Sequence, residues 1–130
     1  MPAITDAPKT SDLNFVILYV DQPEKSAVFY ADLLGRQPVE SSPTFVMFAM
    51  SSGLMLGLWS AHTVEPGAGQ IGGGGEIAFT LADEDAVHRV HALWRERGIA
   101  ILQPPTEMDF GYTFVALDPD GHRLRVFAAK

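Results

Sequence analysis

The stretch that most constrains the fold of this chain is DPDGHRLRVF, residues 118–127. Pro119 fixes its own φ and Gly121 accepts a positive φ, so Asp-Pro-Asp-Gly predicts a tight turn between two strands. After the turn, Leu124 and Val126 alternate with two arginines and a phenylalanine, and successive residues of a strand point to opposite faces. The chain therefore closes with a β-hairpin that has one apolar face and one face carrying arginines and an aromatic ring.

A pattern of one strand, one helix and three strands occurs twice along the chain. In each copy a β-branched and aromatic run is followed by an aspartate, Asp21 or Asp83, which the sequence predicts as a helix N-cap. These two aspartates are 62 residues apart, and the glycines that follow the predicted helices, Gly35 and Gly98, are 63 apart. The sequence therefore predicts an internal repeat of two βαβββ modules.

Length and composition place these modules in one domain. The 130 residues suit a single domain with its own core, and 47% of them are hydrophobic. The predicted organisation is a flexible tail over residues 1–12, followed by one domain over residues 13–130. Within it we predict module one at 13–60, a glycine-rich linker at 61–75 and module two at 76–128.

The net charge and the lack of membrane-spanning or signal segments limit the kinds of partner that we expect. A net charge of −7 disfavours nucleic acid and anionic membrane surfaces. No apolar run approaches the length of a membrane span, and no signal peptide is visible. With no cysteine, thiolate chemistry is excluded. We expect a cytoplasmic protein whose partners are small molecules or copies of itself.

Two motifs, YVDQPEKSAVFYADLLG and LDPDGHRLRV, in this paired arrangement resemble the glyoxalase/bleomycin resistance/dioxygenase superfamily, also called the vicinal oxygen chelate superfamily. The resemblance extends from Leu13 to Phe127. It implies an α+β fold in which two βαβββ modules form a curved mixed sheet.

The metalloenzymes of this superfamily take one metal ligand from the first strand and one from the last strand of each module. Carried over by spacing, these positions are Asn14, Gly57, Glu76 and Arg125. Only Glu76 suits a divalent cation, whereas Gly57 has no ligand atom and Arg125 repels a cation. We therefore expect no metal, no cofactor and no catalytic residue, and we predict that Glu76 and Arg125 form an ion pair in place of the metal.

Aromatic and soft side chains remain on the predicted cavity face. Gly57 leaves a gap against which a flat ring can lie, with Trp59 as a stacking surface and Met55 as an adaptable contact. Phe45 and Phe48 differ in parity, so one of them faces the cavity, and parity does not decide which. The opposite wall is expected from the segment Asp109, Phe110, Gly111 and Tyr112. The alternative is that Trp59 caps the core and that this segment is a packed loop.

The segments PTFVMFAMSSGLMLGLWS and MDFGYTFVALDPDGHRLRV are most similar to the antibiotic-binding members of the superfamily that use no metal. This resemblance implies a homodimer that sequesters a planar aromatic, phenazine-like molecule in cavities lined by both chains. The alternative is an enzyme: a lyase or isomerase with Glu76 as base, or a dioxygenase-like metalloenzyme. Arg125 would lower the pKa of such a base, which favours binding over catalysis. His88 and His91 lie three apart on the second helix, where a solvated surface is a better interpretation than a metal site.

Overall fold

A computed structural model describes residues 12–130. The predicted tail, residues 1–12, lies outside the described residues except for Asp12. The elements follow the predicted repeat, in this order: β1 Phe15–Val20, α1 Pro23–Leu34, β2 Glu40–Ser41, β3 Phe45–Ala49, β4 Met55–Ser60, β5 Glu76–Thr80, α2 Glu84–Glu96, β6 Ala100–Met108, β7 Gly111–Leu117 and β8 Arg123–Ala129.

The strands form two four-stranded mixed sheets, one for each module. The strand orders are β1-β4-β3-β2 and β5-β8-β7-β6. In each sheet the first strand of the module pairs in parallel with the last, and the other pairs are antiparallel. The two sheets therefore repeat one topology, and the superfamily fold predicted from the sequence is confirmed.

Each helix covers one face of its own sheet. Helix α1 packs on β3 and β4, and α2 packs on β6, β7 and β8. Both helices contribute to one cluster of buried side chains, which includes Tyr30 of module one and Trp94 and Phe114 of module two. The face of each sheet that is turned away from its helix is called here the open face.

The turn predicted as the closing hairpin also joins the two modules. Asp118, only 5% exposed, accepts a hydrogen bond of 2.7 Å from the hydroxyl group of Tyr30 in α1. Asp120 accepts hydrogen bonds from the backbone N–H of Asp21 and from the Ser26 hydroxyl at the start of α1. The turn of module two thus satisfies polar groups at the N-terminus of the module-one helix.

Helix α1 begins one residue later than predicted. Its N-cap is Gln22, which makes no side-chain capping bond, whereas Asp83 caps α2 as predicted by accepting from the N–H of Ala86 at 2.8 Å. Asp21 does not cap the helix, because the carboxylate of Asp120 binds at that end of the helix. The carboxylate of Asp21 contacts His62 instead. The two helix caps are therefore 61 residues apart, and so are the first residues of β1 and β5.

Two strands at the sheet edges, β2 and β6, are irregular. Strand β2 has only two residues, Glu40–Ser41, and pairs with β3 alone. Strand β6 continues through Pro104 and Pro105 to Met108. It tolerates the prolines because it is an edge strand and its pairing with β7 shifts register between Gln103 and Thr106.

Candidate functional site

The open face of module one is aromatic and soft. Strand register places Gly57 beside Ile17 of β1 and Met47 of β3, and places Trp59 beside Tyr19 and Phe45. Burial alternates along β3, where Val46 and Phe48 are fully buried and their neighbours are partly exposed. The side chains that register assigns to this face are Phe15, Ile17, Tyr19, Phe45, Met47, Ala49, Met55, Gly57 and Trp59.

The expected gap at Gly57 is filled by two rings of this chain. A Cβ atom built on Gly57 would lie 2.8 Å from Cζ of Phe45 and 3.0 Å from Cε1 of Phe15. The ring of Phe45 also meets Trp59 edge to face, with centroids 6.1 Å apart. The prediction that a ligand lies directly against Gly57 is therefore wrong for this conformation, because the missing side chain makes room for Phe45 and Phe15.

Burial and strand pairing resolve the choice between Phe45 and Phe48. Phe45 lies on the open face with Trp59, whereas Phe48 is 0% exposed within the core cluster. Phe48 was a candidate ligand contact, and this assignment is wrong, since its side chain is turned toward α1 and away from the open face. The two residues are three apart, so a strand sends them to opposite faces.

The open face of module two carries the predicted ion pair. Arg125 donates from Nε to Oε1 of Glu76 at 2.7 Å and from Nη2 to Oε2 at 2.9 Å. The Arg125 guanidinium also donates to the hydroxyl of buried Thr113 at 3.2 Å. The side chains of Glu76 and Arg125 are 30% and 18% exposed, so the pair is only partly shielded from water. The two-bond fork fixes both side chains more firmly than a single contact would.

The ion pair sets the protonation state of both partners. The hydrogen bond from Arg125 lowers the pKa of Glu76, and Arg123, 3.9 Å from its carboxylate, acts in the same direction. The same hydrogen bond raises the pKa of Arg125. Glu76 is therefore a carboxylate at neutral pH and a weaker base than an unpaired glutamate.

Phe110 completes the ring-bearing part of this face. Its ring lies 5.6 Å from that of Phe127, nearly perpendicular to it, and 5.7 Å from the guanidinium carbon of Arg125. Phe110 is 43% exposed, so its outer surface is free to meet a ligand or another chain. The sequence interpretation placed Phe127 on the arginine face of β8 but named only Phe110 as a ligand contact.

The neighbours of Phe110 have other roles than those predicted. Tyr112 was expected to form the opposite wall, which is wrong: its ring packs against His88 of α2, 5.0 Å away, on the helix-covered face. A Cβ atom on Gly111 would collide with the carbonyl oxygen of Ala128, so glycine is required there by the close approach of β8. Asp109 is exposed in the two-residue turn between β6 and β7.

The four positions that correspond to metal ligands do not fit a metal ion. Because the module repeat is 61 residues at the first strands, Phe15, and not Asn14, corresponds to Glu76. Asn14 lies outside β1, and its carbonyl group accepts a hydrogen bond from Met55 N–H. The true set is Phe15, Gly57, Glu76 and Arg125, which offers one carboxylate already bound to a cation. Within residues 12–130, no group of three or more histidine or acidic side chains is placed to hold a metal ion.

Of the two helix histidines, His88 is exposed as predicted and only His91 is less solvated than predicted. His91 is partly buried with its ring 5.1 Å from Phe114, and His88 packs on Tyr112. Burial, followed by the charges of Arg95 and His88, lowers the pKa of His91. His91 is therefore a packing residue between α2 and its sheet, whereas His88 contacts Tyr112 from the exposed side of the helix.

The structure brings the candidate residues together in two separate clusters. Phe45, Met55, Gly57 and Trp59 share the open face of module one, whereas Glu76, Phe110 and Arg125 share that of module two. Among residues 12–130, no hydrogen bond, ion pair or aromatic contact connects these two clusters. Both faces expose large apolar side chains: Phe15 at 42%, Ile17 at 43% and Phe110 at 43%. No helix in this part of the chain is long and apolar enough to cross a membrane.

Comparison with known proteins agrees with the fold. Residues 12–126 match the family described as "Glyoxalase/Bleomycin resistance protein/Dioxygenase superfamily". The chain is similar to the phenazine antibiotic resistance protein EhpR of Enterobacter agglomerans, with 33% identity over 117 residues, 87% of this chain and 88% of that protein.

Two solved structures show the same architecture. A protein of Agrobacterium tumefaciens, determined by solution NMR, is 54% identical and covers 93% of this chain and 99% of its own, with a TM-score of 0.86. A glyoxalase/bleomycin resistance protein/dioxygenase from Nocardioides is 22% identical, covers 96% and 87% of the two chains and has a TM-score of 0.80, which supports the fold alone. The chain therefore belongs to the glyoxalase/bleomycin resistance/dioxygenase superfamily.

Proposed function

We propose that this protein binds a planar aromatic small molecule of the phenazine type, sequesters it without chemical change and so confers resistance to it. The observation that carries the proposal is the set of residues at the four positions that correspond to metal ligands. In place of ligands, these positions carry an aromatic residue, a glycine and two residues that form an ion pair with each other. Module one has Phe15 and Gly57 at the two corresponding positions, and module two has the Glu76–Arg125 pair.

The aromatic cluster of module one supports this ligand class. Phe15, Phe45 and Trp59 present partly exposed rings within one sheet face, and Met47 and Met55 flank them. Flat polycyclic molecules gain from offset or edge-to-face contact with such rings, and methionine adapts to irregular outlines. We expect a flat ligand to stack on Trp59 and to rest on the Phe15 and Phe45 rings that cover Gly57.

The charge state of Glu76 argues against the lyase or isomerase alternative. A general base at neutral pH works best with a pKa near the operating pH, whereas Arg125 moves the pKa of Glu76 downward. Both carboxylate oxygens are already engaged by the guanidinium. The proposed role of the pair is to fix the shape and polarity of the pocket.

A second copy of the chain is part of the proposal. Each open face is only half of a pocket, and each exposes apolar side chains to water, Phe15 and Ile17 on one and Phe110 on the other. Exposed apolar patches of this kind mark contact surfaces. In an isologous dimer, the module-one face of each chain would meet the module-two face of its partner, which creates two equivalent sites.

The relative described as a phenazine antibiotic resistance protein supports the ligand class and the biological role. The aromatic positions of module one are the part of this chain that such a role requires.

A titration with phenazine tests the proposal. We expect saturable binding with two sites per dimer, measured by calorimetry, and a dimer at micromolar concentration in sedimentation experiments. Variant Phe110→Ala should bind more weakly while its circular dichroism spectrum is unchanged. A monomeric protein, or a dimer that does not bind any planar polycyclic ligand, would contradict the proposal.

A further inference from the structure

We propose that an apolar cavity on the helix-covered side of the molecule is a second ligand site, for one small uncharged molecule such as a single aromatic ring or a short hydrocarbon. The cavity has a volume of about 230 Å³ and lies where the two modules meet. It is formed by side chains of α1, by the β1–β4 side of module one and by β5 of module two. Its lining residues are Val16, Tyr30, Leu34, Met50, Leu54, Leu56, Ile77, Ala78 and Phe79.

The lining decides what the cavity accepts. Eight of its nine residues have aliphatic, phenyl or thioether side chains, and Tyr30 alone among them carries a hydroxyl group. The hydroxyl group of Tyr30 is buried and already donates to Asp118 at 2.7 Å, so it has no donor left for a guest. A water molecule needs two to four polar partners, which this lining does not supply. The site therefore excludes ions and polar molecules and favours a dry, apolar guest.

The volume agrees with that chemistry. Natural cores pack at the density of organic crystals, and voids much larger than a water molecule are few. An engineered apolar cavity of about 150 Å³ in another protein stays dry and binds benzene or xenon. A cavity of 230 Å³ therefore holds one ring with short substituents.

Access and adaptability come from two residues at its border. Val16 is 38% exposed, so the cavity opens to solvent at the edge strand β1. Met50 has a flexible side chain packed against the core cluster, and such a side chain can change its rotamer to admit a guest. Neither residue is required for the proposed stacking at Trp59.

This site is distinct from the open faces. The side chains of Ile77 and Phe79 in β5 pack against the core cluster. Glu76, the first residue of the same strand, instead contacts Arg125 on the open face of module two. Strand β5 thus separates the cavity from the ion pair. The proposal does not depend on the function proposed for the open faces.

Methionine methyl resonances distinguish the two sites in one experiment. Met50 lines the cavity, and Met47 and Met55 lie on the open face of module one. In full-length protein labelled with 13C at the methionine methyl groups, we titrate benzene. The expected result is a saturable shift of the Met50 resonance, assigned by its loss in Met50→Leu, with Met47 and Met55 unchanged. Xenon should compete for the same shift.

Matched substitutions sharpen the test. Val16→Phe fills the mouth of the cavity and should weaken benzene binding at least tenfold, whereas Val28→Phe, at a 72% exposed position on α1, should leave it unchanged. If Val16→Phe does not fold, the wild-type titration alone decides. A Met50 resonance that does not saturate, or saturable shifts at Met47 and Met55 instead, would overturn the proposal.

Discussion

The open faces of the two modules share a topology and differ in chemistry at the same two positions. Module one has Phe15 and Gly57, with Phe45 packed over the glycine, and module two has Glu76 and Arg125 in a two-bond ion pair. The first pair of residues is wholly apolar, whereas the two residues of the second pair are charged and bind each other. The difference teaches that the same two strand positions can be made unfit for a metal ion in two independent ways, by filling the space with rings or by supplying a cation from a side chain.

The largest expected effect is a difference in stability between substitutions on the two faces of β3. Phe48→Ala removes a fully buried ring and should lower the free energy of unfolding by about 3–5 kcal/mol. Phe45→Ala, on the partly exposed side of the same strand, should cost clearly less and should weaken ligand binding. Urea denaturation of both variants gives the comparison. Equal losses would mean that the two faces of β3 are wrongly assigned.

The next effect concerns the aromatic face alone. Trp59→Ala should weaken phenazine binding by about 1–3 kcal/mol, if the stacking of nucleobases on aromatic side chains is a fair guide. Calorimetric titration measures this loss, and Trp59→Phe serves as the conservative variant that retains a ring. Unchanged affinity in Trp59→Ala would place the ligand away from module one.

Breaking the ion pair should have a moderate effect on stability. Glu76→Ala leaves the Arg125 guanidinium partly buried without its carboxylate, which should cost about 1–2 kcal/mol after allowance for partial exposure. The control is Glu107→Ala, because Glu107 and Lys130 form a pair that is 58% exposed on both sides. That variant should change stability by less than about 0.5 kcal/mol. If both variants behave alike in urea denaturation, the pair is no more than a surface contact.

The pair also has a pH signature. The pKa of Glu76 is lowered in the folded protein relative to the value of 4.5 for the unfolded chain. The ion pair therefore stabilises the fold above pH 4.5, and this stabilisation is lost as the pH falls through the pKa of Glu76 in the folded state. The difference in stability between wild type and Glu76→Gln should therefore shrink below pH 4.5.

The smallest effect comes from His91. Burial against Phe114 lowers its pKa in the folded state, so the unfolded chain protonates first as the pH falls below 6.5. Stability should decrease from pH 7.5 toward pH 5.5, and His91→Gln should remove that part of the decrease. Thermal unfolding at several pH values measures it, with His62→Gln as an exposed control. An identical pH dependence in wild type and His91→Gln would contradict this account.

The sequence was sufficient for the fold because periodicity and turn chemistry are local. The Asp-Pro-Asp-Gly turn, the alternation of β8 and the Asp83 cap were all read correctly. The site residues were harder to predict, since they depend on the pairing register of the strands, which only the folded sheet fixes. Placing the first helix cap at Asp21 shifted the repeat by one residue, which replaced Phe15 with Asn14 and hid an aromatic side chain on the open face.

Parity was informative only where a partner strand anchored it. Phe45 and Phe48 were correctly separated to opposite faces, and the pairing of Phe45 with Trp59 then decided which one is open. For Tyr112 the partner on β8 could not be assigned from the sequence, and its pairing with Ala128 places it on the helix side, where it packs against His88.

The most direct test of the central claim asks whether bound phenazine comes back unchanged and without a metal. Purified dimer is incubated with phenazine in the presence of zinc, nickel, manganese or ferrous iron, dialysed, and then denatured for mass spectrometry and elemental analysis. We predict stoichiometric recovery of unmodified phenazine and only substoichiometric metal, with the same affinity whether or not metal is added. Conversion of the ligand, or near-stoichiometric metal that is required for binding, would contradict the account.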